Sequence, residues 1–170
     1  MKSIILNLIA VAAASLLLAA ACSQEAAESS QQSSTSNQAD LTSISYEKDT
    51  CAFTGDTITV VRYGGEIEMQ DGTVHKFMSV ECVAGFYLGL EDKSKVKSLK
   101  IVDFAHGKKL LPPDELVYLN SSLRPSPNGM FLTAVDASNE RMKTYIYDAY
   151  PGPYLQWDEV LAMVSEKWNL

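Results

Sequence analysis

The sequence predicts an α+β domain made of two similar strand–strand–helix–strand halves, followed by a terminal amphipathic helix. Three observations support this prediction. Segments rich in β-branched and aromatic residues precede an apolar segment with helical spacing. The same order of segments recurs in the second half of the chain, without sequence identity between the halves. The last apolar residues share one face of a helix.

Residues 57–63 are rich in β-branched and aromatic residues and end at a Gly-Gly pair, which predicts a strand and a turn. Residues 66–69 and 74–78 alternate in polarity on either side of Asp71 and Gly72. An Asp-Gly pair in this setting is typical of a two-residue type I′ turn, so the two segments are predicted to form a hairpin.

A helix is predicted over residues 80–88, because apolar residues recur there at spacings of three and four and Ser79 precedes them as a cap. Residues 99–104 then alternate as a strand. In the second half, residues 115–119 and 130–135 have the composition of strands and are separated by a proline-rich loop.

The second half continues with a helix that Asp136 or Ser138 caps and that a Pro-Gly-Pro sequence stops. Residues 154–155 are predicted to be a short extended piece. The terminal helix begins at Trp157 and has two acidic residues in its first turn, where they interact favourably with the helix dipole.

The beginning of the chain predicts export and lipidation. Residues 1–21 hold Lys2 followed by an apolar run and have the pattern of a lipoprotein signal peptide. The Ala-Ala-Ala sequence before Cys22 resembles a lipobox, in which the cysteine is acylated and becomes the mature N-terminus. Ordinary signal cleavage, which leaves Cys22 as a free thiol, is the alternative. An acylated Cys22 would anchor the protein stably, since two lipid signals suffice.

Residues 22–43 are mostly small and polar, so they are predicted to be a lipidated cysteine with a flexible Ser/Gln-rich tether. Residues 44–170 are predicted to be one domain. The expected location is the cell envelope, on the outer membrane or the periplasmic face of a bacterial membrane. Ser23, which stands where Asp would favour the inner membrane, favours the outer one.

The charge balance excludes a nucleic-acid partner. The chain has 14 basic and 21 acidic residues, for a net charge of −7. Removal of residues 1–21 takes away Lys2 alone and leaves 13 basic against 21 acidic residues, or −8. Phosphate backbones need Lys and Arg for neutralisation. Membrane attachment must likewise come from the acyl chains, because no basic patch for anionic headgroups is evident in the sequence.

Five segments, taken in order, resemble the NosL-like family of nitrous-oxide-reductase accessory lipoproteins, over about residues 46–165. The segments are YEKDTC at 46–51, FMSVEC at 77–82, IVDF at 101–104, SPNGM with TAV within 126–135, and WDEVL at 157–161. The resemblance implies a lipid-anchored protein that binds Cu(I) and hands it to a copper enzyme or another metal-transfer partner.

The resemblance also implies a set of ligands. Cys51 and Cys82 stand at family cysteine positions, and Met130 lies beside the loop that carries a family methionine. His106 follows the IVDF segment in a loop that can bend it toward a site. Soft thiolate and thioether ligands are those that Cu(I) prefers. Met69 and Met78 are further candidates, although a methionine in a strand or at a helix start more often fills the core, as holds for Met130 too. His75 is a weaker candidate than His106, and a histidine in either place is more often solvent-facing or hydrogen-bonded.

The sequence departs from the family pattern at three positions. Thr54 stands where the family has the second cysteine of its C-x-x-C motif, and Asp56 stands where it has a methionine. Asn128 replaces the methionine of the P-M-G loop. These changes replace soft ligands by hard ones, so the chain is expected to be a divergent member that depends on Cys51 and Cys82.

Cys51 and Cys82 have three open interpretations: a disulfide, a pair of ligands for a soft metal ion, or unlinked thiols. A bridge would close a loop of about 30 residues and stabilise the fold by roughly 3.5–4 kcal/mol in the chain-entropy model. A position near a helix N-terminus should lower the pKa of Cys82 and favour metal ligation. The first two interpretations both require the cysteines to be close in space.

No hydrolase, metalloprotease or phosphate-loop motif is present, so no enzyme activity is predicted. The leading hypothesis is a lipid-anchored protein that binds Cu(I) or a similar soft ion and passes it to a partner protein. The alternative is a metal-free lipoprotein of the same fold, in which a Cys51–Cys82 disulfide is structural and the domain binds another component of the envelope.

Overall fold

The computed structural model describes residues 40–170. The predicted signal peptide, Cys22 and most of the predicted tether lie outside the described residues. No helix of the described part has the length and apolar character needed to cross a membrane. A compact unit spans Leu41–Leu170.

The described residues form seven strands and three α-helices, joined by short loops and single turns of 3-10 helix. The strands are β1 (Gly65–Met69), β2 (Val74–Phe77), β3 (Val96–Val102), β4 (Leu110–Leu111), β5 (Leu116–Asn120), β6 (Leu132–Asp136) and β7 (Tyr154–Leu155). The helices are α1 (Val80–Gly89), α2 (Glu140–Ala149) and α3 (Trp157–Trp168).

Two antiparallel sheets organise the fold. The first has the strand order β2-β1-β3-β4, and the second has the order β6-β5-β7. Gly65 of β1 lies opposite Phe77 of β2 and Ile101 of β3, which places β1 at the centre of its sheet. The order of elements confirms the predicted α+β class, with strand–strand–helix–strand segments in each half and a terminal helix.

The main core lies between the sheets and the packed helices α1 and α3. Ile67 and Phe77 of the first sheet and Leu132 of the second are fully buried in it. Cys51 and Cys82 belong to the same cluster. A smaller cluster forms under α2, where Ile146 packs with residues of β5 and β6. The two thiols therefore lie inside the main core.

The prediction of a strand over residues 57–63 is wrong. Thr57 makes a single bridge with Thr50, and Val61–Tyr63 is a turn of 3-10 helix. Ile58 is fully buried, and its N–H donates to the carbonyl of Asp49 at 2.9 Å. Of the β-branched residues in this segment only Ile58 is buried, and the segment pairs with a neighbouring loop instead of with a sheet.

The predicted hairpin is confirmed as β1 and β2, but its turn is not a two-residue type I′ turn. Four residues connect the strands, and only Gly72 of the Asp71-Gly72 pair has a positive φ, at 86°. A type I′ turn needs positive φ at both central residues. The N–H of Met69 donates to the carbonyl of Thr73 at 2.8 Å and closes the longer loop.

The cap of α1 is confirmed, because the Ser79 hydroxyl accepts from the N–H of Cys82. The cap of α2 is neither Asp136 nor Ser138: Asn139 is the N-cap, and its side chain accepts from the N–H of Met142. Asp136 instead accepts from the N–H of Ser138 in the preceding turn. The cap therefore lies one residue after Ser138 and three after Asp136.

Residues before position 44 already form hydrogen bonds with the rest of the domain. Leu41 forms a bridge with Lys109, and the Thr42 hydroxyl donates to the Glu66 carboxylate at 2.6 Å. The N–H of Ser43 donates to the same oxygen at 2.6 Å. Ordered contacts thus begin three residues before the predicted domain boundary.

Candidate metal centre

Cys51 begins a tight loop, residues 51–56, which we call the Cys51 loop. The N–H of Cys51 donates to the carbonyl of Asp56 at 2.8 Å, and the N–H of Gly55 donates to the carbonyl of Cys51 at 2.8 Å. Gly55 has a φ of 79°, a left-handed conformation that glycine adopts without steric cost. The sharp return of the chain leaves the Cys51 side chain in the core, 1% exposed.

The Cys51 loop is attached to two other elements. The N–H of Ala52 donates to the carbonyl of Lys76 in β2 at 2.8 Å. The ring of Phe53 stacks on Trp168 at the end of α3, with 5.0 Å between ring centroids. These contacts hold the loop against the sheet and against the helix pair.

Cys82 is the third residue of α1 and is fully buried. Its N–H donates to the Ser79 hydroxyl at 3.3 Å, which is the cap of the helix. Its sulfur lies 3.0 Å from the Oδ1 of Asn128. The same oxygen accepts from the Ser79 hydroxyl at 2.9 Å. Cap, thiol and Asn128 side chain therefore lie together at the N-terminus of α1.

The structure brings the two cysteines together, as both leading interpretations require. The Cys82 thiol is a hydrogen-bond donor to the Cys51 sulfur and thereby lowers the pKa of Cys51 to about 5. Backbone N–H groups of Met78, Thr54 and Phe53 add to this effect and outweigh the opposing effect of burial. At neutral pH the pair holds one negative charge, on Cys51.

The expectation of a lowered pKa for Cys82 is wrong. Its role as donor to Cys51 raises its pKa, and burial raises it further. The neighbouring charges of Cys51 and Glu81 act in the same direction. These effects exceed that of the Ser79 hydrogen bond at the helix N-terminus. Both cysteines are free thiols in the structure, and a bridge between them stays a prediction.

Thr54 contacts a thioether at the site. Its hydroxyl lies 3.7 Å from the sulfur of Met78 and is placed to donate to it. Met78 also directs its backbone N–H to Cys51, so its main chain and side chain both adjoin the Cys51 loop. Met78 is only 8% exposed. The sequence ranked Met130 above Met78, but the described contacts to the Cys51 loop are those of Met78.

Met130 is buried in the same core cluster as the two cysteines. Its N–H lies 3.5 Å from the Glu81 carboxylate, whose other partner is the Ser126 hydroxyl at 2.5 Å. Burial raises the pKa of Glu81. The loop around Asn128 is thus fixed to the first turn of α1, and it places an amide oxygen beside the Cys82 sulfur.

The structure does not bring His106 to the cysteines. His106 is exposed, and its Nδ1 accepts from the N–H of Lys109 at 3.1 Å. It lines a separate cavity with Arg62 and Lys108. Within residues 40–170 no three or more His, Cys, Asp or Glu side chains are grouped to hold a metal ion. His75 is also engaged elsewhere, with its ring centroid 4.7 Å from that of Phe86.

The arrangement offers two sulfur ligands on separate elements, with thioethers in the same cluster. A thiolate and a thiol that can lose its proton suit a soft ion such as Cu(I), which selects thiolate and thioether ligands. The absence of a third His, Cys, Asp or Glu ligand among the described residues disfavours a four-ligand zinc site of the usual kind. A pair of adjacent thiols also suits disulfide formation under oxidising conditions.

Two antiparallel sheets with helices packed against them define an α+β class of fold. Similar proteins are found by comparing structures and not by comparing sequences. No family model and no curated protein sequence matches the chain. The crystal structure of the copper chaperone NosL from Shewanella denitrificans matches with a TM-score of 0.56 and 16% sequence identity. The match covers 71% of this chain and 95% of that one. The fold is therefore NosL-like.

Sequence reasoning missed the part that Asn128 has in the site and ranked Met78 below Met130. Asn128 was noted only as the residue that replaces a family methionine, and its contact with Cys82 depends on a fold that joins residues 46 positions apart. Met78 immediately precedes the cap of α1, and this position was available as a clue. The stacking of Phe53 on Trp168 had no indication in the sequence, because it joins a loop to the last helix.

Proposed function

We propose that this protein is a lipid-anchored carrier of Cu(I) or a similar soft metal ion, which it holds through Cys51 and Cys82 and passes to a partner protein. The observation that carries the proposal is the buried pair of free thiols, one of which has a pKa of about 5. The NosL-like fold supports it as well, since a solved structure with this fold is that of a copper chaperone.

The thiol pair can load a monovalent ion with limited change in charge. Cys51 is already a thiolate at neutral pH, so only the proton of Cys82 has to leave. The protein then exchanges one proton for one singly charged cation, and the charge of the pair stays constant. Binding is therefore expected to release one proton and to weaken at low pH.

The position of the site favours transfer rather than permanent retention. The Cys51 loop ends in exposed residues, and Phe53 is 37% exposed beside the buried Cys51. Cys82, in contrast, is fixed in the first turn of α1. An incoming partner ligand could displace the ion from the loop side first while the helix thiol still holds it.

The anchor is part of the same proposal and rests on the sequence. Acylation of Cys22 would attach the chain to the outer membrane or the periplasmic face of a bacterial membrane. At roughly 5–6 Å × √n, a tether of about 20 residues has a mean reach of about 25 Å. The domain would then meet partners close to the membrane surface, and no enzymatic step is proposed for it.

Anaerobic titration of the reduced full chain with Cu(I), in competition with a colorimetric chelator, tests the proposal. Cys51→Ser and Cys82→Ser should each weaken binding by at least about 100-fold, because even a lost second-shell partner costs about 10–100-fold. Ala84→Ser is the matched control: it adds a buried hydroxyl to the same helix and removes no thiol. Equal competition by the wild type and the double serine variant would overturn the proposal.

The alternative function, a metal-free module with a structural Cys51–Cys82 bridge, is favoured by the same adjacency of the thiols. Counting free thiols in protein isolated from the cell envelope separates the two. The carrier is expected to show two reactive thiols per unfolded chain besides Cys22. A quantitative bridge, with no reactive thiols before reduction, would favour the alternative.

A further inference from the structure

A second cavity lies away from the thiol pair, between α2 and the 3-10 turn that carries Arg62. We call it the arginine pocket. It has a volume of about 290 Å³, and neither cysteine lines it. Its polar lining is dominated by Arg62 and Arg124, while Phe104, Ile146 and Tyr150 supply apolar and aromatic walls.

The two arginines of the pocket have no carboxylate partner. No described ion pair or hydrogen bond engages the guanidinium of Arg62 or Arg124 within residues 40–170. The Nε of Arg124 is buried without any partner. Asp103 is close in sequence to Phe104, but its carboxylate accepts backbone N–H groups of Ala105, His106 and Asp136. The described lining of the pocket contains no acidic residue.

Aromatic rings hold both guanidinium groups in place. The Cζ of Arg124 lies 4.0 Å from the ring centroid of Phe104 and 4.6 Å from that of Tyr150. The Cζ of Arg62 lies 4.5 Å from the same Phe104 centroid. The two Cζ atoms are therefore at most 8.5 Å apart, the sum of their distances to that centroid. Cation–π contacts stabilise the cations but leave their in-plane N–H donors unused.

This combination is unusual in a chain of net charge −7 that contains only three arginines, two of which meet here. Like charges at such a distance repel each other. An anion that enters the pocket offsets this repulsion. Planar guanidinium groups recognise carboxylate and phosphate oxygens through paired hydrogen bonds.

We propose that the arginine pocket binds a small organic anion, with a carboxylate or phosphate head between Arg62 and Arg124 and an apolar body against α2. Met142, Ile146 and Ala149 supply the apolar wall on that helix. The volume is near the lower end of the roughly 300–1,000 Å³ typical of ligand pockets, which favours a compact ligand. This site is independent of the proposed metal function.

Calorimetric titration of the full chain in buffer free of phosphate and carboxylate tests the proposal, with benzoate as the probe and benzamide as its neutral counterpart. Benzoate is expected to bind, and benzamide to bind at least about tenfold more weakly, because hydrogen bonds to charged groups contribute about 1.5–3 kcal/mol. Inorganic phosphate, which has no apolar body, is expected to bind more weakly than benzoate.

Two variants and one control locate the binding. Arg62→Gln and Arg124→Gln should each weaken benzoate at least tenfold, and circular dichroism would confirm that each variant is folded. Arg141→Gln is the control, since it removes a charge from α2 outside the pocket lining. Binding of benzoate that persists unchanged in the Arg62 variant, or that is matched by benzamide, would overturn the proposal. Equal binding of phosphate would overturn the apolar part of it.

Discussion

Cys51 and Cys82 differ in acidity because their hydrogen-bond partners differ. Cys51 receives the thiol of Cys82 and three backbone N–H groups, all of which stabilise a negative charge. Cys82 is the donor within the pair and is buried beside that charge. The proximity of the two cysteines could be predicted, because a disulfide and a shared metal ion both require it. Their acidities could not, because they depend on the conformation of the Cys51 loop and on its contacts with Met78 and Cys82.

The acidity of Cys51 predicts a pH dependence of stability. Its pKa is about 5 in the folded protein against an ordinary value of 9.0, so between these values the unfolded chain binds more protons. The stabilisation it supplies is present above pH 9 and is lost as the pH falls through 5. The pKa of Cys82 is raised instead of lowered. The stabilisation that Cys82 supplies is therefore present below pH 9 and is lost as the pH rises further.

Urea unfolding of reduced protein, compared with the Cys51→Ser, Cys82→Ser double variant, measures this effect. The difference in unfolding free energy should rise from pH 5 to pH 9, by at most about 1.4 kcal/mol per pH unit. Groups common to both proteins cancel in the difference. A difference that stays flat over this range would contradict the assigned thiolate.

The position of Thr54 predicts that a cysteine there would strengthen Cu(I) binding. Its side chain contacts Met78, and its N–H faces Cys51, so Thr54→Cys would place a third thiol at the site. Cu(I) affinity under anaerobic, reducing conditions is expected to increase by about tenfold or more, since soft ions prefer thiolate ligands. Thr73→Cys, in the exposed hairpin loop, is the control and should leave the affinity unchanged. No gain over that control would argue against a metal position beside Thr54.

At the scale of elements, the Cys51 loop, α1 and α3 meet at Gly85. A Cβ atom there would lie 2.7 Å from the ring of Trp168 and 2.8 Å from that of Phe53, closer than real contacts allow. The glycine thus permits the stacked rings to cover the helix that carries Cys82. The helix itself could be predicted from its spacing, but the reason for a glycine within it could not, because both rings come from distant segments.

Gly85→Ala should destabilise the protein by about 1–3 kcal/mol, the usual cost of overpacking a core. Gly89→Ala provides a matched control in the same helix, because a Cβ there meets nothing within 4 Å. That control should be neutral or stabilise the protein by up to about 1 kcal/mol, since alanine favours helices over glycine. Equal effects of the two substitutions in urea unfolding would contradict the packing described.

Residues 57–63 illustrate a limit of prediction at this scale. Their composition favours a strand, and Ile58 is buried as a strand residue would be. The backbone of this segment nevertheless hydrogen-bonds to the loop around Asp49. Composition alone decides neither burial nor the backbone partner: Thr59 and Val60 are exposed here although they are β-branched, and the partner depends on which segment lies alongside. The same holds for the turn after Met69, where the strands end earlier than a two-residue turn requires.

At the scale of the whole molecule, the order of elements was predictable because periodicity and caps recur along the chain. The NosL-like resemblance rested on five short segments, and the structural match at 16% identity agrees with it at the level of the fold. The arginine pocket was not predictable. Its two arginines are 62 residues apart in the sequence, and the net acidity of the chain suggested no basic site.

The proposed attachment to a membrane also concerns the whole chain. The wild-type protein expressed in a bacterium should partition into the detergent phase, and Cys22→Ser should move it to the aqueous phase, because acyl chains supply the anchoring. Phase partition with immunodetection measures this directly. A wild type found in the aqueous phase would contradict lipidation, and a serine variant that stays in the detergent phase would contradict the role of Cys22.

X-ray absorption spectroscopy of the Cu(I)-loaded full chain tests the central claim most directly, because it identifies the atoms bound to the ion. The account predicts a first shell of sulfur alone, at distances typical of thiolate ligands, that is lost in the Cys51→Ser, Cys82→Ser double variant. A shell containing nitrogen or oxygen in the wild type, or an unchanged sulfur shell in the double variant, would contradict the assignment of this thiol pair as the metal site.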